Sequence, residues 1–142
     1  MILVDVNVLV YAHRVDTDRH AEYKSWLEEL WAAPSAHAVS ELVLSSFLRI
    51  TTHHRVFDPP TPLDRALAFV DQVRSRPNAF IVAPGARHWE IFTDLCRKSE
   101  AAGNLVPDAY LAALAIESGS ELITTDRDFT RFPGLRWRHP LE

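Results

Sequence analysis

The sequence has one cysteine, no long apolar run and no excess of positive charge. Cys96 has no partner for an intrachain disulfide, so the fold needs no oxidising compartment. No apolar segment approaches the roughly 20 residues that cross a bilayer, and no basic segment precedes the apolar N-terminal residues as it would in a signal peptide. We therefore expect a cytoplasmic protein that does not act at a membrane.

The charge balance argues against one class of nucleic-acid-binding protein. The chain has 15 lysines and arginines against 19 aspartates and glutamates, a formal net charge of −4. A domain that holds nucleic acid mainly by bulk positive charge is therefore not expected. No Cys/His spacing suggests zinc. No repeat or linker divides the chain, so we predict one domain over residues 1–142.

Short apolar runs alternate with segments of helical periodicity. The runs predict strands at 1–4, 36–39, 80–83 and 121–124, with a short last strand at about 135–138. Helices are predicted from caps at 16–18 to Pro34, at about 40–52, from Thr61-Pro62 to 73, around 89–96 and from Pro107 onward. This alternation predicts an α/β fold with a central, mostly parallel sheet of four or five strands flanked by helices.

Two predicted strands end in an aspartate. Asp5 follows the first strand and Asp126 follows the strand at 121–124. Ligands of open α/β sheets bind beyond the carboxyl ends of the strands, so these carboxylates meet there if the two strands are neighbours. Aspartate is also a common turn residue after a strand, which is the structural alternative.

Two further acids lie on predicted helices. Asp108 follows Pro107 in the first turn of an alanine-rich helix. Either the helix dipole alone favours an acid there, or close packing of the helix brings Asp108 to the strand ends. Glu41 shares a helix face with Leu44, Ser45 and Leu48, and is either a surface residue or a semi-buried metal ligand.

A cluster of these four acids would need a cation. Like charges within a few ångströms raise one another's pKa, and a divalent ion relieves the repulsion. Mg²⁺ or Mn²⁺ suits an all-oxygen set of ligands and supports phosphodiester hydrolysis. The acids predicted to be both catalytic and metal-binding are Asp5, Glu41, Asp108 and Asp126.

Several residues could support such a site. Asn7 could orient a water or a ligand, or cap the next helix. Thr124 could form a hydrogen bond with the cluster, or could be present only because threonine fits well in a strand. Asp126 and Asp128 are alternatives for the fourth acid. We favour Asp126 because it lies nearer the strand end. Three arginines are candidates for contact with RNA phosphate, although isolated arginines are usually surface residues: Arg14, Arg49 and Arg55.

Four segments together carry a family resemblance. Residues 1–7, 40–42, 107–115 and 124–129, in this order and spacing, closely resemble the PIN domain and, more narrowly, the VapC toxins of bacterial toxin–antitoxin pairs. The resemblance implies a parallel sheet with acidic residues converging at its carboxyl edge, and a Mg²⁺- or Mn²⁺-dependent nuclease. The family's acidic set falls on the four acids already named, and Asn7 matches its usual small polar position.

The resemblance to VapC proteins also implies partners. Such proteins are typically homodimers restrained by a VapB antitoxin, whose C-terminal segment lies over the active site. Their targets are structured RNAs, commonly transfer or ribosomal RNA, cut to leave a 5′-phosphate and a 3′-hydroxyl. A Mg²⁺-dependent endoribonuclease toxin is therefore the function that we expect.

Two other functions remain open at this stage. A Mg²⁺-dependent phosphatase for small metabolites would also place an aspartate after the first strand, but Asn7 stands where phosphatases of the haloacid dehalogenase type want a second aspartate. A PIN-like module that binds RNA or protein without cutting is the other alternative, and the complete acidic set counts against it.

Overall fold

Strands and helices alternate along the chain, as the sequence pattern predicts. The computed structural model describes residues 1–142. The strands are β1 (Ile2–Val4), β2 (His37–Ser40), β3 (Ala79–Val82), β4 (Glu121–Ile123) and β5 (Trp137–Arg138). The α-helices are α1 (Val6–His13), α2 (His20–Ala32), α3 (Glu41–Thr51), α4 (Leu63–Arg74), α5 (His88–Ser99) and α6 (Leu105–Ser118). A short 3₁₀ helix, Arg127–Arg131, lies between β4 and β5.

The five strands form one parallel sheet in the order β3-β2-β1-β4-β5. The prediction of a mostly parallel sheet of four or five strands is thereby confirmed. β1 is the central strand, and Leu3 pairs with Ala38 of β2 on one side and with Leu122 of β4 on the other. All three side chains are almost fully buried, because helices cover both faces of the sheet.

The helices form two layers. α1 packs on α2 and α3, and α3 packs on α4, whereas α5 packs on α6. Crossovers between parallel strands are right-handed. The chain runs from β1 to β3 in one direction across the sheet, which places α1–α4 on one face. It returns from β3 to β4 in the opposite direction, which places α5 and α6 on the other face. None of these helices has the combination of length and apolarity that a bilayer crossing requires.

Helix α6 packs closely on the rest of the domain, as its small side chains predict. Ala109, Ala112, Ala113 and Ala115 have no exposed surface at all. Small side chains let a helix axis approach its neighbours, so the first turn of α6 reaches the carboxyl edge of the sheet. That turn carries Asp108.

Two boundaries near the N-terminus differ from the predictions. The sequence pattern does not single out α1, because its apolar residues lie in a continuous run rather than on one face. α2 begins at His20 and not directly after 16–18. The residues predicted to cap it are held in a turn, where Asp16 pairs with Arg14 and the Thr17 hydroxyl donates to the Arg14 carbonyl at 2.6 Å.

Two later helices also begin at residues other than those predicted. Thr61 does not cap α4, since its hydroxyl lies 3.2 Å from His13 Nε2 and accepts a bond from Arg14, and α4 begins at Leu63. α6 begins at Leu105, two residues before Pro107. Proline is tolerated in the first turn of a helix, where its missing N–H costs no intrahelical bond.

Asn78 ties the end of α2 to the start of β3. Its side-chain amide donates to the carbonyls of Ala33 at 2.8 Å and Ser35 at 3.0 Å, with a longer contact of 3.4 Å to Leu30. Its backbone carbonyl accepts from the His37 N–H at 2.9 Å. One residue therefore satisfies several backbone groups of the α2–β2 connection.

We expect Asn78→Ala to lower the free energy of unfolding by about 1–3 kcal/mol, because it leaves these carbonyls without their donor. Urea titration followed by circular dichroism measures this loss. Asn104→Ala is the matched control, since Asn104 precedes α6 and its side chain makes no capping bond, and its expected change is below about 0.5 kcal/mol. Equal losses in the two variants would contradict the assigned role of Asn78.

Candidate active site at the carboxyl edge of the sheet

Asp5 is fixed at the boundary between β1 and β4. Its backbone N–H donates to the Ile123 carbonyl at 2.9 Å, which continues the pairing of the two strands. Its carboxylate accepts from the Val6 N–H at 2.7 Å, so that Asp5 caps α1, and from the Thr124 hydroxyl at 2.7 Å. Only 5% of the residue is exposed. The backbone turn from strand to helix therefore presents one buried carboxylate in a single orientation.

Thr124 connects the two strand-end aspartates. Its fully buried hydroxyl donates to Asp5 and accepts from the Asp126 N–H at 3.0 Å. Asp126 in turn caps the 3₁₀ helix, where its carboxylate accepts from the Asp128 N–H at 2.9 Å. The sequence left open whether Thr124 supports the site or only suits a strand, and these bonds favour the first.

The pKa of Asp108 responds to the charges of the same carboxylates, so Asp108 lies near them. Burial and, to a smaller extent, the negative charges of Asp126, Asp5 and Asp128 together raise the pKa of Asp108 to about 6. Burial also raises the pKa of Asp5, against the opposing effect of its bonds from Thr124 and Val6. The carboxylates of Asp5, Asp108 and Asp126, from β1, α6 and the end of β4, therefore lie near enough for their charges to affect the pKa of Asp5 and of Asp108.

Glu41 differs from its prediction. The first turn of α3 follows β2 directly, and the buried face of this helix is formed by Val43, Leu44 and Phe47. Glu41 lies outside that face, with 63% of its side chain exposed, and its carboxylate pairs with Arg74 Nε at 3.1 Å. The prediction that Glu41 is semi-buried is therefore wrong. Its role as a metal ligand stays a prediction.

The donor set suits a hard divalent cation, although the acids are not arranged as a finished metal site. No three His, Cys, Asp or Glu side chains stand where they could hold a metal ion. Glu41 is turned toward Arg74, and both oxygens of Asp5 accept protein hydrogen bonds. However, the groups that shift the pKa of Asp5 and Asp108 include no basic side chain. Hydrogen bonds and not basic side chains therefore offset the charge of Asp5, and oxygen ligands are those that Mg²⁺ and Mn²⁺ prefer.

The supporting residues have distinct positions. Asn7 is half-buried in the first turn of α1, but Asp5 and not Asn7 caps that helix. Asp128 is exposed while Asp126 is half-buried, which agrees with the preference for Asp126. Their chemical roles remain predictions.

The three candidate arginines differ in how far their guanidinium groups are already engaged by other protein groups. Arg14 makes two bonds to Asp16 and lies 4.3 Å from the centre of the Phe57 ring, so its guanidinium is already engaged within the protein. Arg49 and Arg55 are exposed at the end of α3 and in the turn after it. Contact with phosphate stays a prediction for all three.

Arg74, which pairs with Glu41 at 3.1 Å, is not predicted from the sequence. Arg74 lies in the last turn of α4, a common position for a cation because it opposes the helix dipole. That signal explains a basic residue at this point but does not reveal a partner 33 residues earlier in the chain.

Comparisons with known proteins agree with this fold. The PIN domain family matches residues 2–135. Ribonuclease VapC43 of Mycobacterium tuberculosis is 44% identical over 142 residues, which is 100% of this chain and 97% of that protein. Ribonuclease VapC25 of the same organism is 42% identical over 140 residues, 99% of each chain. The chain belongs to the VapC ribonucleases of the PIN domain family.

A solved structure has the same fold. It is the crystal structure of VapBC2 from Rickettsia felis bound to a DNA fragment from their promoter, and the match has a TM-score of 0.72 and covers 98% of each chain. The sequences are only 24% identical. The likeness therefore extends the family assignment to the arrangement of the strands and helices.

The raised pKa of Asp108 predicts a pH dependence of stability without metal. Between its ordinary value of 3.8 and the folded value of about 6, the native state holds a proton that the unfolded state has lost. Stability therefore falls as the pH rises through this window, and Asp108→Asn removes the effect. With solvent screening allowed for, we expect the variant to be more stable than the wild type at pH 7 by about 1 kcal/mol.

Thermal or urea unfolding in EDTA at pH 4 and pH 7 measures this difference. Asp71→Asn is the control, because Asp71 is an exposed acid on α4 away from the cluster. A wild-type protein that is no less stable at pH 7 than its Asp108→Asn variant would show that the cluster does not strain the fold.

Proposed function

We propose that this protein is a Mg²⁺-dependent endoribonuclease, with Mn²⁺ as a substitute ion, and the toxin of a type II toxin–antitoxin pair. The observation that carries the proposal is the convergence of Asp5, Asp108 and Asp126 at one sheet edge without a basic counter-charge. Membership in the VapC ribonucleases supports the nuclease chemistry. No observation favours a small-molecule phosphatase or a non-catalytic binding module.

Asp5, Asp108 and Asp126 would hold the metal, with Glu41 as a fourth ligand when it leaves Arg74. A bound divalent ion supplies positive charge for the nucleophile and for the phosphoryl oxygens. Thr124 keeps the Asp5 carboxylate in one orientation, so that little reorganisation is needed on binding. One of these carboxylates would also take the proton of the attacking water.

The partners follow from the family. A VapB-type antitoxin is proposed as the protein that restrains the enzyme, and the R. felis structure named above is that of a VapBC2 assembly. We also propose a homodimer in the cytoplasm, acting on a structured RNA such as transfer or ribosomal RNA. Arg49 and Arg55 are the exposed candidates for contact with its phosphates, and Arg14 would have to give up its bonds to Asp16.

We expect Asp5→Asn and Asp108→Asn each to abolish cleavage of total cellular RNA, because each removes a charged oxygen ligand while nearly preserving the size of the side chain. Mapping of cut sites with Mg²⁺ and with EDTA measures the activity, and circular dichroism tests the fold. Asp94→Asn is the control, since Asp94 pairs with Lys98 on the surface of α5. Full activity of either site variant would refute the proposal, and turnover of a generic phosphate ester without RNA cleavage would favour a phosphatase.

Glu41 and Arg74 provide a separate test of the fourth ligand. If Glu41 binds metal during the reaction, Glu41→Gln lowers the rate of RNA cleavage about tenfold or more. Arg74→Gln breaks the same ion pair but leaves the carboxylate, so the rate stays within about twofold of the wild type. A Glu41→Gln variant as active as Arg74→Gln would exclude Glu41 from the active site.

A further inference from the structure

The sheet has an open edge at β3, two strands away from β1 and the acidic cluster. β3 pairs only with β2. Backbone groups alternate in direction along a strand. The Asn78 carbonyl accepts a bond from β2, so the carbonyl and amide groups of Phe80 and Val82 face β2 as well. The N–H and C=O of Ile81 therefore point away from the sheet.

The strand at this edge has neither a charge nor a proline within it. The strand Ala79–Val82 contains no charged residue, and 54% of Phe80 and 40% of Ile81 are exposed. Exposed edges are normally blocked by charge, proline, a bulge or a very short strand. The opposite edge has such a block, since β5 is only two residues long and carries Arg138, which pairs with Glu121.

A groove lies beside the amino-terminal half of this strand. Its volume is about 510 Å³, and its walls include the rings of Trp31, Pro34, Pro77 and Phe80. Phe80 thus belongs to both the strand and the groove. A chain that pairs with β3 could place an apolar side chain in the groove while its backbone bonds to Ile81.

The charged residues nearest to β3 along the chain are arginines. The segment 72–89 contains three arginines and no aspartate or glutamate. Arg74 is paired with Glu41, but Arg76 lies 3.9 Å above the Trp31 ring and, like Arg87, makes no ion pair within the protein. The nearby Glu117 uses both carboxylate oxygens to accept from the N–H groups of Gly85 and Arg87. Near the two ends of the open strand, Arg87 is therefore exposed and Arg76 half-buried, and neither charge is paired within the protein.

We propose that the β3 edge binds an extended segment of a partner protein in which apolar residues alternate with aspartate or glutamate. The segment adds a sixth strand to the sheet through main-chain bonds, with its acidic residues near Arg76 and Arg87. A second copy of this chain fits less well, because antiparallel pairing of two β3 strands brings Arg76 of one copy toward Arg87 of the other. The proposal concerns a surface separate from the acidic cluster and does not depend on the nuclease activity.

The test uses the full-length protein labelled with ¹⁵N and an acetylated heptapeptide of alternating glutamate and valine. We expect chemical-shift changes at the amides of 79–83, and slower hydrogen exchange at Ile81. Two altered peptides separate the contributions: one is N-methylated at alternate residues on the pairing side, and the other has lysine in place of glutamate. Each is expected to bind about tenfold more weakly, because it loses a main-chain bond or the charge attraction.

Protein variants provide the matching evidence. Arg87→Glu is expected to weaken binding of the acidic peptide at least fivefold. High salt is expected to weaken binding to the wild-type protein by about the same factor. Arg131→Glu is the control, because Arg131 is an exposed arginine on the 3₁₀ helix near the opposite edge. Equal affinity of the plain and N-methylated peptides, or shifts confined to other surfaces, would overturn the proposal. Concentration-dependent shifts of 79–83 without peptide would assign the edge to a second copy instead.

Discussion

Burial of the Asp5 carboxylate between β1 and β4 is the constraint on which the rest of the site depends. A charged group in this position costs free energy unless donors surround it, and the Val6 N–H and the Thr124 hydroxyl supply two. The Val6 donor is local to the turn, whereas the Thr124 donor is present only when β1 and β4 are neighbours in the sheet. The order of the strands, the cap of α1 and the position of Asp126 are therefore parts of a single arrangement.

The site keeps more negative charge than the protein itself neutralises. Asp108 and Asp5 both have a raised pKa, because each is desolvated and each faces the other acids. Natural folds retain such strain mainly where a ligand relieves it. Stability and function are thus opposed at this edge of the sheet, and the close packing of α6 and the pairing of β1 with β4 compensate for the repulsion.

Much of the fold could be predicted from the sequence. Strand-end aspartates were expected to meet because parallel strands share one carboxyl edge, and Asp5 and Asp126 do so through Thr124. The alanines of α6 predicted its close packing correctly. These successes rest on periodicity and residue size, which are local properties of the chain.

The failures concern contacts between distant segments. Counting positions around α3 placed Glu41 beside apolar residues but could not reveal that it is exposed and paired with Arg74. α1 has apolar residues in a continuous run, so no amphipathic period marks it. Thr61 and the residues at 16–18 have the composition of helix caps, yet ion pairs and side-chain bonds across a turn use the same polar atoms.

The place of β4 in the chain has a consequence for biosynthesis. Thr124 and Asp5 are separated by 119 residues, so β1 leaves the ribosome long before the strand that completes its surroundings. A growing chain cannot assemble the acidic cluster until the strand that carries Thr124 has also been made. The cluster therefore forms late in folding, however early its first carboxylate is synthesised.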